Sequence, residues 1–207
     1  MAYMYTQNGT SDITSGAGAG QVGIGISSTS EKLHLATGSG NCKIRIDSYY
    51  STAGGGPVLQ FLKSSNNTVG SKSTTANNEL IGRLEFYGVN ANGTPDWAKG
   101  ARIDSFQDGN AGSTYVPGRI EFLTGTNSSD LGTRMVIKND GKIGIGTGIP
   151  SENLEVAGSA RIGSGAYNSG HLLIGNYHLW IDVSDRLRIK SSAPTSDTDG
   201  VVVGSQS

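Results

Sequence analysis

The chain has almost no cysteine, few prolines, no long apolar run and no surplus of charge. Cys42 is the single cysteine among 207 residues, so an intrachain disulfide framework and a cysteine zinc site are both excluded. It reads as a small residue beside the strand-like "KIRID" and not as a reactive thiol. Sixteen Lys and Arg against 17 Asp and Glu leave a net charge of −1, which argues against a nucleic-acid grip. No apolar stretch approaches the length that spans a bilayer, and "MAYMYTQNGTSDITSG" lacks a basic segment followed by an apolar one. The expectation is a protein without membrane insertion or secretory signal. Large apolar residues are also scarce: Leu, Ile, Val and Phe number 44, close to the level at which a chain cannot bury enough surface alone. Low net charge argues against disorder, so the chain is expected to complete its core with other chains.

Glycine is plentiful, 32 residues, and it is organised. Residues 21–36 align with residues 142–157 at an offset of 121, and seven of these 16 positions are identical: Gly23/Gly144, Ile24/Ile145, Gly25/Gly146, Ser30/Ser151, Glu31/Glu152, Leu33/Leu154 and Ala36/Ala157. Such repetition states architecture. In "VGIGI" and "IGIG" the aliphatic residues alternate with glycine. On an extended strand they share one face and the glycines the other. Glycine weakens a strand unless another backbone must come close. The expectation is a seam of aliphatic side chains meeting symmetry mates, with Val22, Ile24, Leu33, Ile143, Ile145, Leu154 and Val156 as trimer-core candidates.

A smaller repeat lies between the modules. "IGRLEFYG" (81–88) matches "PGRIEFLTG" (117–125) at an offset of 36. Leu84 and Phe86 alternate with Arg83 and Glu85, and Ile120 and Phe122 with Arg119 and Glu121. Each copy precedes another strand-like run, "GARIDSF" (100–106) and "GTRMVIK" (132–138), which reads as two strand pairs. "CKIRID" (42–47) alternates like a strand, and "PVLQFLK" (57–63) fits a strand or a short helix. "VIKNDGKIGIG" predicts a hairpin turning at Asp140–Gly141, "HLWIDVSDRLRIK" (178–190) predicts another, and Val201–Val203 could add a last strand. No ten-residue amphipathic helix is legible. The fold class expected is all-β, short antiparallel strands and hairpins forming an elongated, intertwined homotrimeric fibre. The expected segments are an N-terminal arm (1–20), a first glycine-rich trimerisation module (21–40), a central β domain (41–141), a second module (142–165) and a β-hairpin tip (166–207).

The modules "VGIGISSTSEKLHLATG" and "IGIGTGIPSENLEVAG" resemble the "VGIGT-x-x-P-x-x-KLHV-x-G" modules of tail-fibre proteins from tailed bacteriophages and prophages. The intervening "GRLEFYGVN…GARIDSFQDG…YVPGRIEFLTGT…TRMVIKNDGKIGIGT" and the final "LWIDVSDRLRIKSSAPTSDTDGVVVGS" resemble the corresponding segments of those fibres. The resemblance spans about residues 21–205. It implies a homotrimeric, β-rich virion fibre that contacts the host surface, with the N-terminal arm joining other virion proteins. No helical stretch resembles the self-cleaving chaperone domain of longer members. A non-viral trimeric β-rich adhesin or glycan-binding module is the alternative.

No chemistry stands out. "GAGQVG" (18–23) has the G-x-G-x-x-G spacing without the strand before it and helix after it that a dinucleotide fold needs, so no cofactor is expected. His34, His171 and His178 are scattered and predict no metal site, although one axial histidine in a trimer would supply three ligands. Glu85, Glu121 and Asp104 could pair for glycoside cleavage, but glutamates repeated beside arginines fit cross-strand ion pairs better. The expectation is therefore no catalytic residues and no enzyme. Trp97 in "NGTPDWAKG" and Tyr115 in "NAGSTYVPG" are the surface-recognition candidates, since aromatic rings in polar loops can stack on sugars of a host glycan.

Overall fold

The structure, a computed structural model, describes residues 13–15, 22–24, 30–38, 40–49, 51, 54–91, 93–126, 131–163 and 170–204. Most of the expected arm (1–20), the start of the expected tip (166–169) and its last three residues lie outside the described residues. The chain is all-β. Thirteen strands and no helix occur among the described residues: β1 (Ile13–Ser15), β2 (Val22–Ile24), β3 (Leu33–Leu35), β4 (Leu80–Val89), β5 (Trp97–Gln107), β6 (Gly118–Thr124), β7 (Gly132–Ile137), β8 (Ile143–Ile145), β9 (Leu154–Val156), β10 (Leu172–Ile174), β11 (Tyr177–Ile181), β12 (Leu187–Lys190) and β13 (Val201–Val202). Two compact units divide them, Met1–Gln60 and Phe61–Ser207.

The first unit holds the sheet β1-β2-β3. Its β1–β2 pair is antiparallel and its β2–β3 pair parallel, with Val22 opposite Leu33 and Ile24 opposite Leu35. "CKIRID" is not a strand: residues 41–49 carry no regular structure. Alternation makes a segment competent to pair, but a strand exists only against a partner, and no strand among the described residues takes it up. Ile44 and Ile46 are accordingly exposed.

The second unit contains two sheets, β4-β5-β6-β7-β8-β9 and β10-β11-β12-β13. The anticipated two strand pairs are one continuous antiparallel meander, because β5 also pairs with β6. Residues 57–63 are neither strand nor helix, yet Phe61 lies over Gly82, where a Cβ would come 3.1 Å from its own. The β7–β8 turn places Gly141 at φ 84; Lys138 N–H donates to Lys142 O at 2.9 Å and Gly141 N–H to Lys138 O at 3.0 Å. This is a three-residue hairpin loop with glycine in the left-handed position. The β11–β12 turn repeats it with Asp185 at φ 58. Strand β10, which the sequence reading did not foresee, pairs with β11.

The second module copies the first in register. β8 and β9 pair in parallel, Ile143 opposite Leu154 and Ile145 opposite Val156, the positions equivalent to Val22/Leu33 and Ile24/Leu35. The flanking bonds match too: Val22 N–H to Lys32 O at 2.8 Å and Ile143 N–H to Asn153 O at 2.9 Å, then Ala36 N–H to Ile24 O at 3.0 Å and Ala157 N–H to Ile145 O at 2.9 Å. Parallel neighbours ordinarily need a crossover of roughly a dozen residues. Three-residue strands permit the shorter link 146–153. That link folds back over Gly144, where a Cβ would overlap the carbonyl oxygen of Thr147 and lie 3.1 Å from Val136 Cγ1. The backbone that crowds this glycine belongs to the same chain.

Gly144→Ala is therefore expected to lower stability by about 1–3 kcal/mol. Gly148→Ala, with nothing within 4 Å of its Cβ, should change it by less than about 0.5 kcal/mol. Thermal unfolding followed by circular dichroism distinguishes the two.

Candidate functional site

Strand register sorts the residues of the large sheet onto two unlike faces. One face carries the row Leu84, Ile103, Phe122, Met135, Ile145, Val156 and, beside it, Gly82, Ser105, Ile120, Ile137, Ile143, Leu154. The other carries Arg83, Asp104, Glu121, Val136, Gly144 and Glu155. Leu84, Phe86, Ile120, Ile145 and Leu154 are all exposed, whereas Asp104, Val136 and Leu123 are buried. The aliphatic face is open at these positions and half-buried at Ile103, Phe122, Met135, Ile137, Ile143 and Val156, while the charged face holds the buried residues, the reverse of a solitary water-soluble sheet.

The charged face is held by its own ions. Asp104, with no exposed side-chain surface, accepts from Arg83 Nε at 2.7 Å and Nη2 at 3.1 Å. Arg102 Nε lies 2.8 Å away as an ion pair, at an angle that leaves its N–H without a hydrogen bond. Glu121 sits directly opposite Asp104 and is neutralised by Arg119 Nε at 2.7 Å; that guanidinium also stacks on Phe106, 4.5 Å from the ring centre. Glu85 accepts from the Tyr87 hydroxyl at 2.8 Å and pairs with Lys99 at 3.2 Å. The Tyr87 and Lys99 hydrogen bonds hold its carboxyl below the usual range. Glu85 and Asp104 thus stand in cross-strand ion pairs, whereas Glu121 is paired along its own strand.

The small sheet repeats the inversion. Leu172, Leu179, Ile189 and Val201 form one row by register, and Leu172, Ile174, Ile181, Leu187 and Val201 are exposed. Opposite them Trp180 and Arg188 are buried with Asp182. Arg188 and Arg186 both bond the Asp182 carboxylate. Burial pushes that carboxyl up, but the hydrogen bonds from Arg188 and from the Arg186 and Ser184 amides outweigh it and hold the group well below its ordinary value. The Lys190 ammonium and the amide and hydroxyl of Thr195 do the same for Asp199. The sequence reading passed over this cluster; the signal was "DVSDR" followed by "SDTDG", where carboxylates and cations alternate.

The trimer-core candidates fall into two groups. Val22, Ile24 and Leu33 are exposed in the first unit. In the second unit Ile145 and Leu154 are exposed, Ile143 and Val156 are half-buried, and all four lie on the aliphatic face. Trp97 and Tyr115 do not converge. Trp97 opens β5 and Tyr115 follows its end, so the strand sets them roughly 30 Å apart. Tyr115 lies in a turn in which Gly112 N–H donates to its carbonyl at 2.9 Å, beside an open groove of about 550 Å³ that includes Lys63 and Lys72. His171 and His178 come together, with ring centres 4.4 Å apart; His34 only approaches Ser30, at 3.5 Å. No three potential ligands converge among the described residues. A cleft of about 350 Å³ over the small sheet is lined by Arg161, Ile162, His171, Leu172, Trp180 and Leu187, without a carboxylate.

The family described as "Capsule depolymerase" matches residues 143–205, under a third of the chain. No curated protein matches. Among solved structures, the carboxy-terminal domain of the bacteriophage T5 L-shaped tail fibre with its intra-molecular chaperone domain is 17% identical, at a TM-score of 0.46, over 64% of this chain and 40% of that one. The carboxy-terminal domain of the same T5 fibre is 13% identical, at a TM-score of 0.41, over 79% of this chain and 90% of that one. The capsule-depolymerase match overturns the expectation that the chain is not an enzyme. That expectation weighed only Glu85, Asp104 and Glu121, which lie outside the matched segment, and never tested the carboxylates Asp182, Asp197 and Asp199 within it.

Two outcomes are expected from the ion pairs. Asp104→Asn leaves two guanidinium groups beside a neutral amide and should cost about 3–5 kcal/mol, read as a fall in the denaturant midpoint. Hydrogen bonds from Lys63 and Ser65 pull Glu79 down from 4.5 to about 2, and Asp182 and Asp199 are lowered as well. Folded-state values below unfolded ones add stability that is complete above about pH 4.5 and is lost as the pH falls toward 2. The melting temperature should therefore be flat from about pH 5 to 7 and fall steadily below that range.

Proposed function

We propose that the chain is a segment of a bacteriophage tail fibre, located in the virion, that assembles as a homotrimer and acts on the polysaccharide capsule of its bacterial host. The observation that carries this reading is the bare aliphatic face of each sheet in the second unit. Burying a side chain such as Ile145, Leu154 or Leu84 stabilises by about 1.5–3 kcal/mol, and these three remain exposed although Phe61 lies over Gly82 at one end of the face. Three copies meeting through them around an axis would build a shared apolar interior and turn the ion-paired faces outward. The tail-fibre-like modules favour that assembly, and the capsule-depolymerase match over residues 143–205 favours capsular polysaccharide as the target.

Light scattering on the purified protein should give three times the 21.4 kDa chain mass. A twofold sandwich of the same faces would give twice that mass and reject the threefold arrangement. Ile145→Asp would set three carboxylates in an apolar seam. Desolvation and mutual repulsion should abolish assembly or confine it to low pH, where the carboxyls are protonated, while the single chain stays folded. A trimer of unchanged melting temperature would show that Ile145 is not in the seam. Incubation with capsule from the host should release reducing ends; binding without release would keep the fibre reading and remove the cleavage.

A further inference from the structure

The charged face of the large sheet ends in an exposed aromatic patch that borders the Glu85 ion pair. Beyond Glu85, register sets Tyr87 opposite Lys99 and Val89 opposite Trp97. A register shift between Phe86 and Tyr87 keeps Lys99 on the side of Arg102. Its ammonium lies 3.2 Å from Glu85 and 5.9 Å from the centre of the Tyr87 ring. Alternation brings Val89 and Trp97 to the same side, while Gly88 and Ala98, paired with each other, occupy the reverse. All the bulk of this hairpin end is on one surface, where Trp97 is 69% and Tyr87 45% exposed.

Exposure alone is no signal in a chain whose aliphatic faces are bare. Position is the signal here. Trp97 and Tyr87 stand on the charged face, away from the rows that would join copies of the chain, and their neighbours are an ammonium and a carboxylate. A pyranose needs that combination: flat aromatic surface for its apolar C–H face, and donors and acceptors for its oxygens. Arg83, Lys99 and Arg102 outnumber Glu85 and Asp104 on this surface, so an anionic sugar is favoured over a neutral one.

We propose that Tyr87, Trp97 and Lys99 form a binding site for a carboxylated pyranose unit of an acidic bacterial polysaccharide. The two rings carry the apolar face of the sugar and the Lys99 ammonium receives its carboxylate. The assignment rests on the capsule-directed reading above and names the chemical class of its target.

The chain has two tryptophans, and Trp180 is buried at 4%, so acrylamide quenching of fluorescence reads Trp97. The intact protein is titrated with alginate, hyaluronate and polysialate, with dextran as the neutral control. At least one carboxylated polymer should lower the quenching constant severalfold, and dextran should not. Isothermal titration with the same polymer should show binding lost in Trp97→Ala and Tyr87→Ala and weakened about tenfold in Lys99→Gln, with the assembly mass unchanged in each. No shielding by any carboxylated polymer, equal shielding by dextran, or unaltered binding in Lys99→Gln overturns the site. Capsule binding retained by Trp97→Ala rejects this site while leaving the fibre reading intact; shielding of Trp97 by a protein that proves monomeric does the reverse.

Discussion

The structure turns on an inversion of the ordinary sheet. A sheet in water covers its aliphatic face and leaves its ions outside. Here the ions are folded in and the aliphatic rows are left out. Leu123, Val136 and Trp180 are the only buried large apolar residues among those described, while Asp104, Gln107, Asp182 and Arg188 are buried beside them. A buried carboxylate persists only with its counter-charge in place. Arg83 and Arg102 serve Asp104, and Arg186 and Arg188 serve Asp182. These pairs fix which strand lies beside which. They cannot supply the apolar burial that a stable domain needs, and that deficit gives the bare rows their meaning.

The repeated module shows how little sequence can set such a geometry. Both copies pair their strands in the same register although fewer than half of the aligned positions are identical. Gly144 lets the returning backbone cross the strand, and Glu155 fastens the return by accepting from the Ser151 amide and hydroxyl at 2.7 and 2.9 Å. His34 stands where Glu155 would, and reaches Ser30 only at 3.5 Å. The two copies therefore share their strand register and differ in how firmly this serine is held by the second strand. A carboxylate in hydrogen-bond contact holds an amide more strongly than an imidazole at that distance.

Much of this was legible beforehand. Alternation located β4, β6, β7 and β8, and the Asp140–Gly141 pair located the turn between β7 and β8, because period and turn chemistry are local properties. Partnership is not local. "CKIRID" alternates as well as any strand and forms none, since no described neighbour pairs with it. The run from Leu172 to Ile174 has no alternation, yet β11 recruits it. The acids were misjudged for a related reason. Glu85 and Glu121 drew attention because they repeat, while Asp182 and Asp199 gave no repeat and surface as a cluster only when β12 and the segment after it fold back on β11.

The inversion also decides where recognition can sit. If the aliphatic rows are spent on assembly, a ligand can be met only from the charged face or from the loops and hairpin ends at its margins. Across most of the charged face that option is closed, because the carboxylates there are already bound to arginine and would have to be unpaired at a cost of several kcal/mol. The far end of β4 and β5 escapes this constraint. Its backbone is thinned by Gly88 and Ala98 on one side, and Trp97 and Tyr87 on the other are not used in burying anything. Apart from the Tyr87 hydroxyl, which holds Glu85, this aromatic surface stabilises neither the sheet nor the seam and contributes when something else covers it, and the ammonium of Lys99 beside it favours an anionic occupant.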